Sequence, residues 1–215
     1  MAAIKKRSLV DQVYERLRTD IITLRLPLGS KVNVNELQDT LGVSCTPIRE
    51  AVNRLQQEGL VTYENNVGAK VLTLEPKDVE EIQQLATTLH CAAAKLAMER
   101  GDHKVMAEQL RRRLAEFKSA ETPASLVSAV HHFIEVFYVH CGNRRLDRSM
   151  LSIQGQQLIV RNLYAHLGVD KAADAADFEH ICKGVEDGDP NEVYLAIRSN
   201  AVRMERTVAE SLENG

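Results

Sequence analysis

Residues 34–55 read VNELQDTLGVSCTPIREAVNRL, and this stretch decides the fold. A short helix is expected from about Asn35 to Leu41, and Gly42 breaks it, because glycine takes up backbone conformations closed to other residues. A second helix is expected near Thr46, with Pro47 at its first position, where the missing N–H has no partner to lose. It runs amphipathically through Ile48, Val52 and Leu55 to Gly59. Two short helices joined by Gly42-Val43-Ser44 make a helix-turn-helix, in which the leading residues of the second helix reach bases in the major groove of DNA. Here those residues are Ser44, Cys45, Thr46, Pro47 and Arg49. Ser44 and Thr46 can donate to phosphates, as can the N–H groups of a helix start. Arg49, one turn in, can reach phosphate or grip guanine with two parallel hydrogen bonds.

The flanks extend the motif on both sides. Ser8 can cap a helix whose apolar residues Leu9, Val13, Leu17, Ile21 and Leu24 follow helical spacing, and Leu26-Pro27-Leu28-Gly29 ends it. Leu60–Tyr63 and Lys70–Thr73 alternate as short strands, with a hairpin turn at 65–68 between them. The expected N-terminal domain is therefore a winged helix-turn-helix of three helices and a β-hairpin wing. Asn66, Gly68 and Lys70 on the wing, Asn35 on the first helix of the motif and Arg54 on the second complete the DNA-contact candidates. A packed domain that binds no DNA, with Arg49 merely solvated, uses the same elements and stays open.

Glu75-Pro76 marks the boundary, dividing residues 1–75 from an all-α domain over 76–215. Val79, Ile82, Leu85, Leu89, Ala93 and Leu96 form one stripe, ended by Gly101. Further helices are expected near 103–119, 123–141, 144–167, 174–187 and 190–212. The fold class is mainly α.

Composition narrows the function classes. Of 215 residues, 44% are apolar and 27% charged, an ordinary globular balance. No run approaches the ~18 apolar residues a membrane span needs. The opening MAAIKKRSLVDQ lacks the apolar core of a signal peptide. Cys45, Cys91, Cys141 and Cys182 are far apart and form no C-x-x-C pair, which suits reduced thiols and a cytoplasmic protein. The net charge of −3 is unevenly shared. Residues 1–74 carry ten Lys/Arg against eight Asp/Glu, and the remainder seventeen against twenty-two, so the basic surplus lies with the helix-turn-helix. No Gly-rich phosphate loop, G-x-S-x-G elbow or H-E-x-x-H occurs, and an enzyme is not expected.

Leu28-Gly29-Ser30, Glu36-Leu37, Leu41-Gly42-Val43-Ser44, Thr46-Pro47-Ile48-Arg49-Glu50-Ala51, Arg54-Leu55 and Glu58-Gly59-Leu60-Val61 together closely resemble the winged-helix domain of the GntR family of bacterial regulators. The helical remainder resembles the ligand-binding domain of the FadR subfamily, the FCD type. The resemblance implies a homodimeric transcriptional regulator, a repressor, on a short palindromic operator of double-stranded DNA, with a small-molecule effector controlling release. Two departures bear on affinity. The family has arginine where Cys45 stands, and its wing reads R-P-N-R-G where this chain reads Glu64-Asn65-Asn66-Val67-Gly68. Each lost arginine removes a contact worth on the order of 1–3 kcal/mol if it reads a base.

FCD-type domains hold a divalent metal through an aspartate, a histidine four residues on, and two histidines on the last helices. By this resemblance those four positions fall on Val130, Ile134, Phe178 and Asn200. Each lies on an inward stripe: Leu126, Val130, Ile134, Phe137 and Cys141 on one helix, Phe178, Ile181, Cys182 and Val185 on the next, and Val193, Ile197, Asn200, Ala201, Met204 and Val208 on the last. Three of the four side chains offer no lone pair, so no metal and no cofactor is expected. A one-residue slip would pair His131 with Glu135 near His180, and would turn the apolar stripe outward. The arginine that metal-dependent members use to clamp an organic acid falls on Ala86, and the glutamate four later on His90. Two readings follow. The cavity takes an effector more apolar than a small carboxylate, contacted by Val130, Ile134, Phe137 and Phe178 and oriented by His90 and Asn200, with Arg161 and Tyr164 as further candidates. Otherwise it is filled, and the domain only dimerises.

Overall fold

In the computed structural model, which describes residues 8–64 and 67–214, α1 (Leu9–Ile22) opens on a capping box. The Ser8 hydroxyl accepts from the Asp11 N–H at 3.1 Å while the Asp11 carboxylate accepts from the Ser8 N–H, so two orphan donors of the helix start are satisfied. α2 (Val34–Leu41) ends at Gly42, whose left-handed φ of 64° lets its N–H turn back to the Gln38 carbonyl. α3 (Cys45–Gln57) buries Ile48, Ala51, Val52 and Leu55 against Val13, Leu17 and Ile21 of α1. It begins two residues before the expected start, so Pro47 is its third residue rather than its first. The ring is still tolerated, because no N–H of the first turn has an intrahelical partner.

β1 (Val61–Glu64) and β2 (Gly68–Val71) form an antiparallel hairpin with Val61 opposite Val71 and Glu64 opposite Gly68. The expected strands lay one residue early and two residues late. The difference arises because residues 29–32 run along β2 as an extra edge: Val32 donates to the Ala69 carbonyl at 2.9 Å and Val71 to that of Ser30 at 2.8 Å. Local alternation cannot register the isolated bridge that the turn after α1 makes to β2.

Arg54, a DNA-contact candidate, turns toward α1. Its Nη1 lies 2.8 Å from Asp11 Oδ1, and its guanidinium carbon sits 4.0 Å above the Tyr14 ring centroid. Tyr14 in turn donates to Glu58, which also accepts from Arg18 Nε at 3.1 Å. Five residues after Arg49, Arg54 points about 140° around the helix from it. It ties α3 to α1 and does not face the same way as the leading residues.

Residues 1–73 and 74–215 form separate compact units, the division falling two residues before the expected one. The second unit comprises α4 (Pro76–Arg100), α5 (His103–Ser119), α6 (Pro123–His140), α7 (Arg144–Leu167), α8 (Lys171–Asp187) and α9 (Pro190–Asn214). Its core centres on Phe178, whose ring meets Phe117 edge-on at 4.9 Å and Phe133 at 4.6 Å between centroids. On α4 the expected stripe holds at Val79 and Ala93, with Ile82, Leu89 and Leu96 half-buried, but Leu85 is 48% exposed, and Gln83, Ala86, His90 and Ala97 are buried beside it. Two polar residues therefore lie on the inward face among alanines, where apolar periodicity would not place them.

At Gly42 an added Cβ meets no neighbour within 4 Å, so only the backbone conformation resists a side chain there. We expect Gly42→Ala to destabilise the first unit by about 1 kcal/mol. Amide exchange in α2 and α3 of the full chain should then quicken roughly fivefold, with Gly42→Asn falling between the two.

Candidate functional site

The start of α3 presents a free polar edge. Ser44 occupies the N-cap in extended conformation, yet its side chain makes no capping bond. Ser44, Thr46 and Arg49 are exposed, while Cys45 and Pro47 are half-buried. Arg49 has no hydrogen bond or ion pair among the described residues. Cys45, where an arginine was expected by resemblance, turns its thiol to Gln38 Oε1 at 2.7 Å and so braces the turn between α2 and α3. Asn35 is exposed in the first turn of α2. On the wing, Gly68 adopts φ +96°, and Lys70 Nζ is paired with Glu64 Oε1 at 3.1 Å across the hairpin. An exposed pair of this kind is worth at most about 1 kcal/mol, so a phosphate can displace the glutamate. Asn66 lies outside the described residues.

In the second unit, Val130, Ile134, Phe178 and Asn200 do meet, around one narrow cavity that His90 and Arg161 also line. Its volume is about 20 Å³, room for little more than a water. Ala86 and Phe137 are buried but line no part of it: both are absorbed in packing between helices. The larger space is on the other side of His90 and Arg161, a cavity of about 110 Å³ between α4, α6 and α7.

Between these two spaces is a polar cluster. His90 Nδ1 is 3.0 Å from the Tyr138 hydroxyl, and Nε2 is 2.8 Å from Gln157 Nε2 and 3.2 Å from Arg161 Nη2. Burial, with Arg161 and His131 adding to it, pushes the His90 pKa well below its ordinary value, so the ring is neutral. With Nε2 accepting from an amide and a guanidinium, the proton is on Nδ1 and is donated to Tyr138. Burial pulls Arg161 down to about 10, which leaves it cationic at neutral pH. Among the described residues its Nε has no partner, nor does Gln83 Oε1 nearby in the same cavity wall.

Asn200 is held differently from either expectation. Its Nδ2 donates to Asp174 Oδ1 at 2.9 Å, not to a helix carbonyl. Asp174 also accepts from the Tyr164 hydroxyl at 3.1 Å and from Arg203 Nε at 3.0 Å, and Arg203 reaches Asp177 as well. This network joins α7, α8 and α9 through Tyr164, Asp174 and Asn200. Sequence reading missed Gln83, Gln157, Asp174 and Arg203. The available signal was spacing: Gln83 and His90 are seven apart on α4, and Gln157 and Arg161 four apart on α7, so each pair shares a helix face.

A divalent metal does not fit here. Three of the four implied positions are hydrocarbon, Asn200 is engaged by Asp174, and the Arg161 guanidinium would repel a cation. The expectation of an apolar effector rests on the missing metal and on the alanine at position 86; Arg161, a further candidate, is brought by α7 to the same region.

Comparison with known proteins gives two family matches. Residues 9–71 match the bacterial regulatory proteins of the gntR family, and residues 78–201 match the FCD domain. The HTH-type transcriptional regulator in the unstable DNA locus of Streptomyces ambofaciens is 28% identical over 203 residues, spanning 93% of this chain and 85% of that protein. The HTH-type regulator YdhC of Bacillus subtilis is 26% identical over 138 residues, 63% of this chain, and this match spans only 62% of that relative's length. A GntR transcriptional regulator from Rhodococcus sp. RHA1 superposes with a TM-score of 0.77 over 95% of this chain and 99% of its own, and at 21% identity that likeness shows the fold alone.

The buried neutral His90 sets a pH dependence. Its folded pKa is depressed, so below about 6.5 the unfolded chain takes up a proton that the folded one refuses. Stability therefore falls as pH drops from 6.5 toward the folded value, by up to about 1.4 kcal/mol per pH unit for one proton. His131 shifts in the same direction. Urea unfolding between pH 7 and 5 should show this slope, and His90→Gln should reduce it. An unchanged slope in the variant would mean His90 is not the group responsible.

Proposed function

The chain belongs to the GntR family of bacterial regulators with an FCD-type second unit, and from that premise we propose that it represses transcription as a homodimer, releasing its operator in response to a small molecule held in the helical unit. It is a DNA-binding transcriptional regulator and not an enzyme. The observation that supports the mode of binding is the start of α3, where Ser44, Thr46 and Arg49 stand exposed and Arg49 has no partner among the described residues. Laid in a major groove, this edge offers hydroxyl and N–H donors to phosphates and the Arg49 fork to a guanine. Repression needs nothing further of the chain, since occupying those base pairs excludes other proteins from them.

Dimerisation suits the apolar side chains that α4 and α9 leave in water, Leu85, Leu195 and Val202. A two-fold dimer reads a palindrome, with half-sites about one helical turn apart. Among the described residues no helix is long and apolar enough to cross a membrane. A repressor works where the DNA is, so the cytoplasm is the proposed location. A second reading, a dimerising module with no effector, draws on the near-filled cavity around Phe178. The 110 Å³ cavity beside Arg161 favours the sensor.

The test is anisotropy titration of labelled duplexes from the region upstream of the protein's own gene. Tight, salt-dependent binding to one of them is expected. Arg49→Ala should weaken it by roughly 5- to 150-fold, the equivalent of about 1–3 kcal/mol. If no duplex binds better than random sequence at low salt, the regulator binds no operator there and the interaction-module reading replaces it.

A further inference from the structure

The helical unit carries a second space outside its core. It is a groove of about 410 Å³ between α4 and α9, walled by Gln83, Gln84 and Thr87 on one side and by Arg198, Val202 and Glu205 on the other. Two groups in this wall lack partners, and both can only accept. Gln83 is 3% exposed; its Nε2 donates to Met204 Sδ at 3.2 Å, and its Oε1 has no partner among the described residues. Glu205, the residue after Met204, is half-buried and forms no hydrogen bond or ion pair among the described residues. Burial, with Glu80 adding to it, raises the Glu205 pKa, as befits a carboxylate whose charge goes unanswered. The cations of the two helices are engaged elsewhere: Lys77 with Glu80, Arg203 with Asp174 and Asp177, Arg206 with Glu210, and Arg198 with the Tyr194 hydroxyl. A buried acceptor and a half-buried carboxylate left in this state both cost free energy until a donor reaches them.

We propose that this groove binds a primary monoamine, whose ammonium group pairs with the Glu205 carboxylate and donates to Gln83 Oε1. An ammonium brings a positive charge and three N–H donors, which answers a carboxylate and a neutral acceptor together. Arg198 stands seven residues before Glu205 on α9, so it lines the same helix face two turns, or about 10 Å, further along. Its guanidinium repels a second cation there, which selects monoamines over diamines. Between the two ends Cys91, Ala201 and Val202 supply apolar wall for a hydrocarbon body. The volume lies within the several hundred Å³ usual for small-molecule sites. The site is separate from the central cavity and does not rest on the effector reading. Val202 also belongs to the face assigned above to dimerisation, so a lysine or arginine of a second copy is the competing source of the cation.

Calorimetric titration and thermal melting of the full chain with butylamine, 2-phenylethylamine, putrescine and N-acetyl-2-phenylethylamine, at constant ionic strength, test this. At least one of the two monoamines should bind saturably and raise the melting temperature. Putrescine should bind more weakly, and the uncharged N-acetyl compound not at all. Glu205→Gln keeps the shape of the side chain and removes its charge, and should lose monoamine binding by about tenfold to a hundredfold. Gln83→Met should weaken it by about fivefold and, without ligand, melt no lower than the wild type, because an unsatisfied buried acceptor is gone. Arg198→Gln should bring putrescine level with the monoamines. No binding of either monoamine to the wild type, or equal binding by wild type and Glu205→Gln, overturns the proposal. Sedimentation of the same samples identifies the competing source. If no monoamine binds and Glu205→Gln turns a dimer into monomers, the carboxylate answers a second copy of the chain and not a small amine.

Discussion

Everything the first unit does depends on one face of α3 being denied water. Ile48, Ala51, Val52 and Leu55 are fully buried against α1, each large side chain contributing roughly 1.5–3 kcal/mol of apolar burial. Helical geometry then leaves no choice for the opposite face: with the apolar positions inside, Ser44, Thr46 and Arg49 must stand outside. The outward edge is a consequence of the core rather than a separate feature. Arg54 shows the same constraint from the other side, since its place on the helix turns it toward α1, where it stacks on Tyr14 and pairs with Asp11.

The second unit keeps the architecture of its family but changes the chemistry at its centre. The four positions that converge on the narrow cavity carry valine, isoleucine, phenylalanine and a committed asparagine, so hydrocarbon packing fills the region where ligands to a metal would stand. Charge is not removed from the interior, however. It stands on α7, at Arg161, and is braced by a neutral histidine that donates a hydrogen bond to Tyr138. Asp174, Arg203 and Asn200 form a second polar network in which the buried carboxylate has its guanidinium partner, and it joins α8 to α9. The contrast between a satisfied network and an unsatisfied cation separates scaffold from candidate site.

Several elements were legible before any coordinates. The helix-turn-helix, its exposed arginine and the mainly α class follow from short-range patterns, as do the inward stripes through Val130, Ile134, Phe178 and Asn200. Errors cluster where a neighbour distant in sequence intervenes. The hairpin register moved because residues 29–32 pair with β2. The α4 stripe left out Gln83 and His90 and included Leu85 because two polar residues face a polar cluster that only the other helices complete. Ala86 and Phe137 face inward yet reach no cavity, since burial alone does not say which buried atoms border empty space.

The amino-acid order by itself determined which residues share a helix face, where helices start and stop, and which end of α3 is polar, because backbone hydrogen bonding and side-chain period act over a few residues. Only the tertiary structure decided which faces meet. His90 and Gln157 are 67 residues apart in the chain, and their contact exists because α4 and α7 cross at one particular place. Whether a buried arginine finds a counter-charge is a property of that crossing, which no local pattern encodes.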